Sequence, residues 1–267
     1  MFKSFYGLTL NPFDKSLSET HAFKSRDHEQ MLSRLDYLKN ARGIGLFTAP
    51  PGMGKTFALR CFTQNLNPNL YQLSYICLST VSVTEFYQQF CHELGLDYGP
   101  KKSIMFRNIQ ERLLHLLKEK RKTFILAVDE SQYLNIHVLR DIKMLMNTSF
   151  DSLDCFTLIL IGQPYLSSIL EKPVHEALKQ RIVIHYNYEG LSPEEAKKYI
   201  YSRIDIAGAA QSIIDEASVH AVANFSQGAP RIINTVMTNA LILGTQMNKQ
   251  VIDTEVILSA CNSLSLN

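Results

Sequence analysis

No run of about 18 uninterrupted apolar residues occurs in the 267-residue chain, so the sequence predicts no membrane span. The opening residues, Met1 to Leu10, lack the basic-then-apolar order of a signal peptide. Cysteine is scarce: Cys61, Cys77, Cys91, Cys155 and Cys261 are odd in number, scattered, and form no C-x-x-C pair. That pattern argues against a disulfide framework or a metal site and for buried thiols in a reducing compartment. Repeats and low-complexity segments are missing too, which removes solenoids and linkers from consideration. These absences point to a soluble, cytoplasmic protein. An apolar share of 46 % and a charged share of 19 % give it ample core, as one large domain or as an α/β domain with a smaller companion.

The net charge of +2 conceals an asymmetry. Residues 1–188 hold 22 Lys/Arg against 17 Asp/Glu, or +5, whereas 189–267 hold 5 against 8, or −3. Within 101–122, the basic residues Lys101, Lys102, Arg107, Arg112, Lys118, Lys120, Arg121 and Lys122 meet only Glu111 and Glu119, a local +6. Such a run reads equally as a solvated helix face or as a polyanion contact, because phosphate neutralisation dominates nucleic-acid affinity.

One dense motif stands out. Ala49-Pro50-Pro51-Gly52-Met53-Gly54-Lys55-Thr56 follows the phosphate-loop pattern G-x-x-x-x-G-K-[ST], with alanine in its first place. Glycine lets the backbone fold tightly, so that in the loop from Pro51 to Phe57 the N–H groups from Gly52 onward surround the phosphates. Lys55 adds charge at the β- and γ-phosphates, and the Thr56 hydroxyl is suited to Mg²⁺. Gly45–Thr48 reads as the end of a buried strand and Phe57–Phe62 as the opening of a helix. The segment is therefore expected to bind a nucleoside triphosphate.

Strands alternate with helices up to residue 188. Expected strands are Tyr71–Leu78, the apolar run Phe124–Val128, Phe156–Ile161 and Ile182–Tyr188, besides the one before the phosphate loop. Expected helices cover Arg26–Asn40, Thr84–Leu94, Ile136–Asn147 and a stretch capped by Ser103 and running to about Lys118, with Met105, Ile109, Leu113 and Leu116 on its buried stripe. This order implies a doubly wound parallel sheet of five strands. From Glu189 onward only helical patterns occur. They open on Ser192-Pro193-Glu194-Glu195, an N-cap serine with a capping-box glutamate. The expected division is thus an α/β nucleotide domain, 1–188, which includes an extended N-terminal segment, and a helical lid, 189–267.

Phosphoryl transfer needs positioned charge more than covalent chemistry. Asp129-Glu130 ends the apolar strand about 75 residues after the phosphate loop. Asp129 is expected at the Mg²⁺ shell and Glu130 at the attacking water. Gln163, at the end of the next strand, could hold that water or sense the γ-phosphate, or be a turn residue. Arg181, before the fifth strand, suits either a finger into a neighbouring subunit's site or an ion pair. Arg231, after Gly228-Ala229-Pro230, suits either the phosphates or a surface ion pair.

In this order the pieces resemble an AAA+ ATPase: Walker A at 49–56, Walker B at 124–130, sensor 1 at Gln163, an arginine finger at Arg181 and sensor 2 at Arg231. Phe5-Tyr6-Gly7-Leu8 with Asn11-Pro12-Phe13, Asp129-Glu130-Ser131-Gln132-Tyr133-Leu134, Gly162-Gln163-Pro164 and Gly228-Ala229-Pro230-Arg231 resemble the ExeA-like family more narrowly. The resemblance implies ATP and Mg²⁺ as cofactors, Pro12 and Phe13 beside the nucleotide, and catalysis by Lys55, Glu130, Gln163 and Arg181. That branch holds secretion-assembly ATPases with a membrane span and a peptidoglycan-binding extension, and helper ATPases of transposition. The chain carries neither addition, which leads to the expectation of a transposition helper akin to the TnsC, IstB and MuB class. The implied partners are duplex DNA, a DDE-type transposase and further copies of the chain in a head-to-tail filament or ring, with no membrane. The implied DNA contacts are Thr84, Lys101, Lys102 and Ser103, near two helix starts. A helicase loader and a nucleotide-dependent assembly factor for an envelope or secretion complex are the alternatives.

Overall fold

The computed structural model describes residues 2–15, 18–147 and 153–264. The elements run α1 (Phe2–Phe5), α2 (Arg26–Ala41), β1 (Gly43–Thr48), α3 (Lys55–Gln64), β2 (Tyr71–Ile76), α4 (Val83–Glu93), α5 (Lys102–Lys118) and β3 (Thr123–Val128). They continue with α6 (Ile136–Met146), β4 (Phe156–Gly162), α7 (Tyr165–Leu170), α8 (Glu176–Lys179) and β5 (Ile182–Asn187). Four helices follow: α9 (Pro193–Ile206), α10 (Glu216–Ser226), α11 (Pro230–Gln246) and α12 (Thr254–Asn262). Two compact units emerge, one from residues 30–50 and 55–188, the other from the described residues of 1–29, 51–54 and 189–267.

The first unit is the expected five-stranded parallel sheet, in the order β2-β3-β4-β1-β5. Strands β1 and β4 are buried at every position and β3 at all but its first, because helices cover both faces of a parallel sheet. Edge strands β2 and β5 are only partly buried. Phe90 of α4 stacks on Phe124 with ring centroids 5.9 Å apart and meets Phe156 edge-on at 5.8 Å. Met105, Ile109, Leu113 and Leu116 form the buried stripe of α5. Because the strands are parallel, all their C-terminal ends lie at one edge of the sheet.

Three local expectations are corrected here. Strand β2 ends at Ile76, two residues before Leu78. Helix α4 is capped by Ser82, whose hydroxyl accepts from the Glu85 N–H while the Glu85 carboxylate accepts from the Ser82 N–H. Lys101, not Ser103, is the N-cap of α5; the backbone turns helical two residues earlier and no side chain caps it.

The second unit is helical. Serine and glutamate at 192 and 195 make the expected capping box at the start of α9. Ile200, Val219, Ile233, Met237 and Val256 meet in its core. The N-terminal segment belongs to this unit and not to the nucleotide domain, a correction to the expected 1–188 division. The reason is burial: Tyr6, Leu8 and Phe13 sit in the helical core, and the Tyr6 hydroxyl donates to Lys249 O at 2.9 Å. The Thr9 N–H likewise donates to Ala207 O at 2.9 Å. Pro12 and Phe13, expected beside the nucleotide, are buried, and the Phe13 side chain is committed to that core. None of the five cysteines is in a disulfide; four are buried and Cys77 is exposed. Among the described residues no helix is long and apolar enough to cross a membrane.

Candidate functional site

Strand β1 delivers the phosphate loop to the C-terminal edge of the sheet, where the Ala49 N–H donates to Gly162 O at 3.1 Å. Left-handed backbone falls at Gly52 (φ 84°) and Gly54 (φ 97°), and Ala49 is not among the positive-φ residues. Alanine is therefore tolerated in the first place of the motif because no left-handed turn is required there. Lys55 is nearly buried, and its Nζ donates to Ala49 O at 2.8 Å and Pro50 O at 3.2 Å. It opens α3, whose first N–H groups form an anion-binding end. At the loop tip, a Cβ on Gly52 would lie 2.9 Å from Arg231 Cβ, and the Arg231 N–H donates to Gly52 O at 3.3 Å. The first turn of α11 thus packs on residues 51–54, with the Arg231 side chain exposed.

Strand β3 brings Asp129 and Glu130 to the same edge. Thr56 Oγ1 donates to Asp129 Oδ2 at 2.7 Å, and the Tyr75 hydroxyl donates to the same oxygen at 2.8 Å. Asp129 Oδ1 accepts from the Glu130 N–H at 2.8 Å. Burial, reinforced by the bond to Asp129 and its charge, pushes the Tyr75 hydroxyl above its ordinary range, so it stays a donor. Glu130 adopts left-handed backbone, φ 48°, unusual for a residue with a side chain. Its carbonyl is held by the Ser79 hydroxyl at 2.9 Å and the Tyr133 N–H at 3.0 Å. Locally overdetermined strain of this kind recurs at functional sites.

The donors suit a hard divalent cation. Thr56 and Asp129 offer a hydroxyl and a carboxylate oxygen, the ligands Mg²⁺ takes alongside phosphate oxygens and water. Among the described residues no group of three or more His, Cys, Asp or Glu could hold a metal unaided. A cation here would thus depend on the nucleotide for further ligands.

Gln163 follows the last residue of β4, at the edge that carries Asp129. Its N–H donates to Gln132 Oε1 at 3.1 Å, and Gln132 Nε2 donates to Glu130 Oε2 at 2.5 Å. Sequence reasoning assigned no role to Gln132, Tyr75 or Ser79. For Gln132 the available signal was its position two residues after Glu130; Tyr75 and Ser79 are 54 and 51 residues from their partners, beyond any local pattern.

Arg181 lies elsewhere. It precedes β5, and its carbonyl accepts from Ile44 N–H at the start of β1, the opposite edge of the sheet from the phosphate loop. Six strand residues separate the edges, roughly 20 Å at about 3.3 Å per residue. Its guanidinium pairs with Asp154 at 2.8 Å and is largely buried. Arg181 therefore cannot reach the nucleotide site of its own chain. Lys102, expected at DNA, is exposed, and its Nζ is bound to the buried Asp141 carboxylate at 2.5 Å. Lys101 and Ser103 are exposed at the uncapped start of α5, while Thr84 sits in the first turn of α4, beside the Glu85 carboxylate.

Residues 38–170 match the family model described as an AAA domain. The chain is 31 % identical over 245 residues to General secretion pathway protein A of Aeromonas hydrophila, a match covering 91 % of this chain and 44 % of that protein. It therefore spans less than half the length of this relative. Among solved structures, Cdc6p from Pyrobaculum aerophilum superposes with a TM-score of 0.73 at 15 % identity, covering 96 % of this chain and 71 % of that one. The Aeropyrum pernix ORC1 protein in complex with DNA gives 0.67 at 16 % identity, covering 93 % and 68 %. Residues 38–170 thus resemble an AAA domain, and the chain shares the α/β fold of these structures.

Proposed function

We propose that this chain is a Mg²⁺-dependent ATPase whose ATP-loaded form assembles on duplex DNA and controls a DDE-type transposase. The observation that carries the ATPase reading is the bond from Thr56 Oγ1 to Asp129 Oδ2, with Glu130 next in the chain. The loop N–H groups and Lys55 bind the phosphates of ATP. Thr56 and Asp129 would hold Mg²⁺, which supplies positive charge to the phosphate oxygens. Glu130 accepts a proton from the attacking water, and Gln163 helps to orient that water or reads the γ-phosphate. Arg231 reaches toward the phosphates from α11.

Arg181 acts in trans: released from Asp154, it reaches the γ-phosphate bound by a neighbouring copy. A head-to-tail filament or ring then makes each site depend on its neighbour. The uncapped start of α5, with exposed Lys101 and Ser103, supports a contact to DNA backbone, and Thr84 adds a hydroxyl. The similar fold of an ORC1 protein in complex with DNA supports the same reading. The transposase as client rests on the likeness to the ExeA-like branch. The identity to General secretion pathway protein A favours a second reading, an assembly factor for a secretion complex.

The test is electron microscopy and binding titration of the purified chain with duplex and single-stranded DNA, with and without a non-hydrolysable ATP analogue. The expected result is analogue-dependent assembly on duplex DNA. Preference for single strands would point to a helicase loader. Hydrolysis without any DNA binding would leave the secretion reading.

A further inference from the structure

Gln132 links two parts of the site that the motifs treat separately. Its amide orientation is dictated, because a carboxylate only accepts and a backbone N–H only donates: Nε2 must face Glu130 and Oε1 must face Gln163. The amide sits over the end of β4 at very close range. A Cβ on Gly162 would lie 2.6 Å from Gln132 Oε1 and 2.9 Å from Leu166 Cδ2, so a side chain at position 162 would push the amide out of its present place. Ser131, between Glu130 and Gln132, is fully buried and donates to Val128 O at 2.7 Å, which fixes the short turn that aims Gln132 back at the sheet.

We infer that Gln132 is a positioning residue, which sets the orientation of the Glu130 carboxylate by tying it to the backbone between Gly162 and Gln163. This rests on the reading of Glu130 as the group that receives the water's proton. A carboxylate on an exposed, left-handed turn samples several rotamers unless a neighbour holds it, and proton transfer requires hydrogen-bond reach to the water. The bridge also joins Glu130 to the strand end that carries Gln163, so a shift of β4 is passed to the carboxylate without contact between the two side chains.

The experiment compares Gln132→Met, which keeps the size of the side chain and removes both hydrogen bonds, with Gln132→Glu, which replaces the donor by an acceptor. Binding of a fluorescent ATP analogue reports an intact fold and phosphate loop. In both variants kcat should fall about tenfold or more while KM for ATP stays within about twofold, since ground-state binding is untouched. Gly162→Ala should lower kcat by displacing the amide. Combined with Gln132→Met it should add little, because both changes break one bridge. A kcat within twofold of wild type in both Gln132 variants, or fully multiplicative effects in the double variant, overturns the inference. Glu130→Gln separates the two levels: if it keeps wild-type turnover, the underlying reading fails; if it loses turnover while the Gln132 variants do not, only the positioning role fails.

Discussion

The two edges of one sheet have opposite characters. At the C-terminal edge, Thr56, Tyr75, Asp129, Glu130, Gln132 and the backbone of Gln163 form one connected set of hydrogen bonds. At the N-terminal edge, Arg181 pairs with Asp154, its guanidinium largely shielded. A parallel sheet explains the contrast, because it gathers the strand-to-helix loops, with their free N–H groups, at one end only. In the proposed reading the polar network serves chemistry within the chain, whereas Arg181 at the far edge meets a nucleotide only in another copy.

The sharpest way to break this comparison is Lys55→Ala, which removes the loop's charge. ATP affinity should fall by about 100-fold or more in calorimetric titration, consistent with charge-assisted contacts to phosphate. Glu130→Gln should next lower kcat by about 10²- to 10³-fold while leaving nucleotide affinity within about twofold, the size expected for loss of a positioned proton acceptor. Arg181→Ala probes the other edge. Turnover should drop about tenfold or more at protein concentrations where copies assemble, and remain unchanged in dilute solution. Equal loss at all dilutions would remove the division of labour between edges. Losing the pair with Asp154 should cost about 1–3 kcal/mol of stability by denaturant titration, because a partly buried carboxylate is left without this partner.

Smaller effects sharpen the contrast between the two helix starts. Lys101→Ala, at the uncapped start of α5, should weaken duplex DNA binding a few-fold and reduce the salt dependence by about one unit of slope. Thr84→Ala should change it less, because the capping box already places the Glu85 carboxylate at the start of α4. Smallest of all, Ala49→Gly should leave ATP affinity within about twofold and cost about 1 kcal/mol or less, an entropic loss without a conformational gain.

Much of the sheet was legible because its signals are local. The apolar run Phe124–Val128, the stripe from Met105 to Leu116 and the Ser192–Glu195 box each contain, within a few residues, the physics that forms them. What escaped was set by distant partners. The start of α5 was misread at Ser103 because serine is a good cap, whereas the backbone turned at Lys101 without one. Nothing near Lys102 in the sequence signalled its ion pair with Asp141, 39 positions on. The N-terminal aromatics gave no clue that their core would be built by helices some 190 residues later. The bridging role of Gln132 depends on a strand that begins 24 residues beyond it.

The bare Cα of Gly162 has an evolutionary consequence. Any side chain at that position collides with the Gln132 amide, so a lineage that acquires one must also give up the glutamine or move it. Across homologous sequences, positions 132 and 162 should therefore change together, and two linked alignment columns would be the inherited trace of one absent methyl group.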